Sequence, residues 1–211
     1  MNNAVEWYSE FAAVIRCGRC SGGPECNVLR DELENIPQPG YVGAEYKRSR
    51  LLLVGQNPGL PKSMGLRDQP YTAALRQLGS ALTTGAYDSL QQVLEGFVSQ
   101  WPIHRRYFPL SECGLGLRDI AYCNVVRCRT ANDQRPYRSV ATTCMNEHFT
   151  RWLKLLAPKA VVFLGKWAHD QASEIVDGFD IPNTFINRQR SLSSIERAKN
   201  RTEVISLVLR H

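Results

Sequence analysis

Short apolar strands alternating with amphipathic helices predict an α/β fold whose parallel sheet is covered on both faces. Three observations carry this. The runs RLLLVG (50–55) and AVVFLG (160–165) are unbroken apolar stretches that stop at glycine, as strands buried on both faces do. Around them, apolar residues recur at the three and four spacing of helices. The 211 residues, 43 % hydrophobic and 22 % charged, suffice for one globular domain over residues 1–211 and exclude a disordered or collagen-like chain.

Val5, Tyr8, Phe11, Ala12 and Ile15 place a first amphipathic helix over 5–16, ending in Cys-Gly-Arg-Cys. Residues 21–49 are rich in Gly, Pro and mixed charge and read as a long irregular segment. Strand 50–55 then empties into Gly-Gln-Asn-Pro-Gly. Helices follow over 69–83, with Ala74, Leu75, Leu78 and Leu82 on one face, and over 88–101; a loop at 102–116 leads to a strand at 118–126. A helix over 136–156 begins on Pro136, a residue suited to the first helical turn. Strand 160–165, a helix from Lys166 and a short strand at 182–187 repeat the alternation, and TEVISLVLR closes the chain as a helix.

No apolar run approaches the roughly 20 residues of a membrane span, and the N-terminus lacks the basic and then apolar layout of a signal peptide. The expected compartment is cytoplasmic. A net charge of +6 suits a polyanionic partner without demonstrating one. No Gly-rich phosphate loop, Ser-His-Asp order or HExxH occurs, so nucleotide hydrolysis, acyl transfer and zinc proteolysis have no support.

Ligands of parallel sheets bind outside the carboxyl ends of the strands, which singles out GQNPG (55–59), NVVRCRT (124–130) and NRQRSLS (187–193). The seven cysteines are the other signal, because a reducing cytosol disfavours structural disulfides. Cys17 and Cys20 form a CxxC turn that aims two sulfurs one way, and Cys128 and Cys144 complete a four-thiolate set from a distant segment. Thiolate chemistry alone leaves zinc and a [4Fe-4S] cluster both open, as well as buried thiols with no metal. Cys26 lies close enough to replace either member of the pair.

The order Cys-x2-Cys, a strand ending in a Gly-x-x-Pro-Gly loop, an NVVxCR segment, a cysteine sixteen positions on and PKAVVFLG resembles the iron–sulfur, family 4 branch of the uracil-DNA glycosylases. The resemblance spans roughly residues 10–193. It implies a three-layer α/β/α fold with a central four-stranded parallel sheet, a [4Fe-4S] cluster on Cys17, Cys20, Cys128 and Cys144, and a monomer that excises deaminated bases from DNA. In the first motif, Gly55-Gln56-Asn57-Pro58-Gly59 departs from the Gly-Glu-Ala-Pro-Gly of that branch. It is more similar to the Gly-x-Asn-Pro-Gly of the mismatch-specific and single-strand-selective branches. By that resemblance Asn57 orients the attacking water, and the backbone at Gly55 and Gln56 contacts the base. Tyr71 would stack on the flipped base, and the amide of Asn124 would read uracil O4 and N3–H.

The third motif departs further. Asn187 stands where most of the superfamily has the histidine that stabilises the leaving base, and a neutral donor is roughly half as strong as a charged one. Leu192 is the candidate wedge that fills the duplex after base extrusion, and Arg188 and Arg190 the candidate phosphate contacts. A second function therefore stays open: a weak or inactive member that binds nucleic acid or damaged bases without excising them.

Overall fold

The computed structural model describes residues 3–20, 26–29, 36–59, 69–81, 83–98, 108–187 and 193–211. Five strands, β1 (Tyr41–Val42), β2 (Leu51–Gly55), β3 (Ile120–Asn124), β4 (Ala160–Phe163) and β5 (Asn183–Phe185), form one sheet in the order β1-β3-β2-β4-β5. The four strands expected from the sequence pair in parallel. The sheet is nevertheless five-stranded and mixed rather than four-stranded and all-parallel, because β1 adds antiparallel to the edge of β3. Two residues of strand inside a Gly- and Pro-rich segment leave no alternation to detect, so their pairing is a tertiary outcome.

Every residue of β2, β3 and β4 is buried, which explains their near-continuous apolar sequence. Helices α1 (Asn3–Ile15), α3 (Gln69–Ser80) and α4 (Thr84–Val98) pack on one another, and α7 (Lys166–Asp177) and α8 (Ser194–Arg210) pack against β4 and β5. A one-turn helix, α2 (Tyr46–Ser49), leads into β2. In the core, Phe11 of α1 stacks on Trp152 with ring centres 5.3 Å apart.

Two elements differ from the sequence expectation in ways that shape the site. The helix expected over 136–156 is three pieces, α5 (Arg138–Cys144), a π-helical turn (Met145–Phe149) and α6 (Thr150–Leu156). A π turn shifts the following side chains around the axis, and such turns concentrate at functional sites. Helix α8 begins eight residues before TEVISLVLR, because Ser193 and Glu196 cap it reciprocally: the Glu196 N–H donates to Ser193 Oγ at 3.2 Å and the Ser193 N–H to Glu196 Oε2 at 2.8 Å.

Candidate functional site

Gly55, the last residue of β2, pairs with Asn124, the last residue of β3, so both stand at the carboxyl edge of the sheet. A Cβ on Gly55 would lie 2.3 Å from Asn124 Oδ1 and 2.6 Å from the Tyr122 hydroxyl, so only glycine permits this approach. Tyr122 donates to Asn124 Oδ1 at 2.7 Å, both side chains being buried. Asn124 Nδ2 makes no hydrogen bond to any described residue, which leaves the donor end of this amide available to a ligand.

The loop after Gly55 is tied to the loop after Asn124. The Val125 and Val126 N–H groups donate to the carbonyls of Gly55 and Gln56 at 2.9 and 3.0 Å. Asn57 Nδ2 donates to Pro58 O at 3.2 Å and to Thr130 Oγ1 at 3.1 Å, and Asn57 Oδ1 accepts from Gln56 Nε2 at 3.1 Å. Thr130 is fully buried and donates its own hydroxyl to the Gln134 carbonyl.

Cys17, Cys20, Cys128 and Cys144 line a single cavity of about 510 Å³, together with Arg127, Glu147 and His148. They converge because the stretches at 26–29 and 36–40 run alongside 127–131: Leu29 N–H donates to Arg129 O, Ala131 N–H to Asn27 O and Gln38 N–H to Arg127 O. Cys26 is not among the lining residues, and its thiol donates to Cys20 O at 2.6 Å. Burial, and then the negative charge of Cys144, Cys26 and Cys17, push the Cys20 thiol up to about 12. Burial likewise raises Cys144, opposed by the nearby Arg127 guanidinium. Among the described residues no three His, Cys, Asp or Glu side chains are gathered tightly enough to chelate one metal ion.

Two cationic or polar side chains that sequence reasoning passed over border this cavity. The first, Arg127, is 1 % exposed; its Nη1 donates to Pro39 O at 2.7 Å, while Nε and Nη2 are buried with no hydrogen-bond partner among the described residues. Its backbone N–H donates to Cys144 Sγ at 3.3 Å. The second, His148, sits in the π turn against Cys17 and lowers that thiol's pKa. Burial pulls His148 down, but Cys17 and Glu10 outweigh it and raise its pKa. Glu10 Oε1 stands 3.6 Å from His148 Nδ1, and among the described residues neither ring nitrogen has a partner within ordinary hydrogen-bond distance. An arginine inside an apolar run (Val125-Val126-Arg127-Cys128) was the only sequence signal of this environment.

The remaining candidates are placed less closely. Tyr71 is buried in the first turns of α3. Asn187 follows β5 at the same edge of the sheet, half-buried, with its N–H donating to Asn200 Oδ1 at 2.8 Å, while Asn200 Nδ2 donates to Phe185 O at 2.9 Å. Arg188, Arg190 and Leu192 lie outside the described residues. Farther along the same basic stretch, Arg201 forks onto Glu112, with Nε to Oε2 at 3.1 Å, so that cation is neutralised within the protein. No helix among the described residues is long and apolar enough to cross a membrane.

Comparison with known proteins adds two findings. The sequence model of the uracil DNA glycosylase superfamily matches residues 43–209. The chain is 23 % identical to the type-4 uracil-DNA glycosylase of Archaeoglobus fulgidus over 184 residues, covering 87 % of this chain and 73 % of that protein.

Proposed function

Because the chain belongs to the uracil DNA glycosylase superfamily, we propose that it is a DNA N-glycosylase that flips uracil, or a related deaminated base such as hypoxanthine or xanthine, out of DNA and hydrolyses its glycosidic bond. In this proposal residues 1–211 form one three-layer α/β/α domain acting as a monomer. The observation that carries the reading is the close approach of the Asn124 amide to the Gly55 floor, with Asn57 two residues beyond on the same strand end. An amide held at the end of a buried strand presents donor and acceptor in fixed directions, which complements uracil O4 and N3–H and mismatches cytosine. Gln56 offers its backbone to the base, and Tyr71 is assigned to stacking, an interaction worth about 1–3 kcal/mol per base.

Chemistry then follows from what an amide cannot do. Asn57 holds a water but takes no proton near neutral pH. The C1′–N bond therefore breaks ahead of attack, its electron pair leaving with the base. The water oxygen bonds to the cationic C1′, and the proton it sheds balances the one the base anion takes up. Asn187 supplies a neutral hydrogen bond to the leaving base where the superfamily more often has a charged donor, so a modest rate is expected. Arg188 and Arg190 are assigned to phosphates and Leu192 to the gap left in the duplex.

Cys17, Cys20, Cys128 and Cys144 are assigned as ligands of a [4Fe-4S] cluster. The donor set fits: four sulfurs bound one cavity, and a buried arginine with unpaired N–H groups offers the positive charge an anionic cluster needs. Four thiolates could bind zinc or iron, and the choice of iron follows the resemblance to the iron–sulfur branch. When bound, the cluster supplies a rigid crosslink between the end of α1 and the segment leading into α5.

The test is incubation of purified protein with uracil-containing single- and double-stranded oligonucleotides, followed by alkali. Strand scission that is lost in Asn57→Ala supports the reading; full-length product at high enzyme sinks it. Asn187 in place of histidine favours a second reading, binding of damaged DNA without excision. Salt-dependent binding with no base release would select it.

A further inference from the structure

The hydrogen bonds around Asn57 determine which end of its amide faces a ligand. Pro58 O is a carbonyl and accepts only. Thr130 has one hydroxyl hydrogen, and it is committed to the Gln134 carbonyl, so toward Asn57 its oxygen can only accept. Both contacts therefore require the NH2 end of Asn57, and the amide assignment rests on the network rather than on the similar shapes of O and N. The carbonyl end, Oδ1, accepts from Gln56 and keeps one lone pair. We infer that Thr130 is a positioning residue that sets the polarity of the water at Asn57: it holds the amide so that the water donates to Oδ1 and turns a lone pair outward.

This deepens the glycosylase reading and rests on it. A water held the other way, accepting from Nδ2, would spend a lone pair on the protein and point a hydrogen at the electrophile. A hydrogen-bonded side chain at 57 is thus not sufficient for the chemistry; its orientation decides whether the bound water is a nucleophile. Thr130 is suited to the task because its own surroundings hold it in place. It is fully buried, bridged to Val28 in a short antiparallel contact and two residues from Cys128, which lines the cysteine cavity. The same seven residues, 124–130, thereby carry the base-reading amide at one end and the anchor of the water-holding amide at the other.

Three variants test this. Thr130→Val keeps the shape and removes the hydroxyl, and Thr130→Ser keeps the hydroxyl. In excision assays on uracil oligonucleotides, Thr130→Val is expected to lower kcat about tenfold with KM unchanged, the size of one lost orienting hydrogen bond. Thr130→Ser is expected to stay near the parent, and Asn57→Ala to be indifferent to either change at 130. An activity-free readout accompanies them: the Asn57 side-chain NH2 resonances, two distinct peaks in the parent, are expected to shift together or broaden in Thr130→Val. Parental kcat in Thr130→Val, an equal loss in Thr130→Ser, or a change confined to KM overturns the inference while leaving the glycosylase reading intact. A parent that releases no base overturns that reading instead, and unchanged NH2 resonances in Thr130→Val then overturn the positioning role by themselves.

Discussion

Arg127 lies with its guanidinium carbon 4.7 Å from the centre of the Trp152 ring, in a place where the arginine is 1 % exposed and Trp152 2 %. Among the described residues no carboxylate pairs with it. Stacking on Trp152 and one hydrogen bond to Pro39 O offset only part of the cost of burying a cation. The cavity with four cysteines beside it is where an anion would complete the balance.

If the proposed cluster occupies this cavity, replacing Arg127 with methionine should lower the stability of the iron-loaded protein. Removing one partner of a buried charge pair costs about 3–5 kcal/mol. For a chain of this length each kcal/mol moves Tm by about 2–4 °C. Thermal melts and iron quantitation are expected to show a lower Tm and lower iron per chain for Arg127→Met, with Arg127→Lys intermediate. Equal iron and equal Tm in all three proteins would remove the charge-balancing role.

Iron content also separates the cysteines. Cys17→Ser, Cys20→Ser, Cys128→Ser and Cys144→Ser should each lose bound iron and the brown absorbance near 400 nm expected of thiolate-bound iron. Cys26→Ser should retain both, because its thiol is spent on the Cys20 carbonyl and does not line the cavity. A fully loaded Cys144→Ser, or a Cys26→Ser stripped of iron, would redraw the ligand set.

At the proposed base-reading end, Gly55→Ala brings a methyl against Asn124 Oδ1 and the Tyr122 hydroxyl. Overpacking of this kind costs about 1–3 kcal/mol of stability. Displacing Asn124 by about 1 Å is expected to reduce kcat/KM for uracil roughly 10²-fold. Steady-state kinetics beside a melting curve separate the two effects. An alanine variant that excises uracil at the parental rate would show that Asn124 does not read the base.

Tyr122→Phe makes a gentler change to the same amide. It removes the 2.7 Å bond to Asn124 Oδ1 and nothing of the ring's packing. A single such bond is worth about 1 kcal/mol, or roughly fivefold. The expected result is a fivefold loss in discrimination between uracil and cytosine, read from competition between labelled oligonucleotides, with Tm lowered by only about 2–4 °C.

Much of this fold is legible in the residue pattern alone. Unbroken apolar runs located β2 and β4, three and four spacing located α1, α3 and α7, and the loops at the strand ends were recognisable from their polar residues. Those features are local, and local spacing is what periodicity reports. The capping pair Ser193 and Glu196, three apart, was also written in the sequence and would have started α8 correctly. Strand β1 and the π turn were not legible, since a two-residue strand has no period and one extra residue in a helical turn leaves the apolar pattern nearly intact.

Residue order alone sets the alternation of strands and helices, the cysteine spacing and the motif order of a uracil DNA glycosylase superfamily member. Folding in three dimensions is what bonds Thr130 to the Asn57 amide 73 positions away, buries Arg127 beside the cysteines and brings His148, on a π turn, to Cys17. The physical reason is common to all three. Hydrogen-bond polarity and burial depend on which way side chains point across neighbouring strands and loops, and that direction is set by long-range packing that residue spacing does not encode.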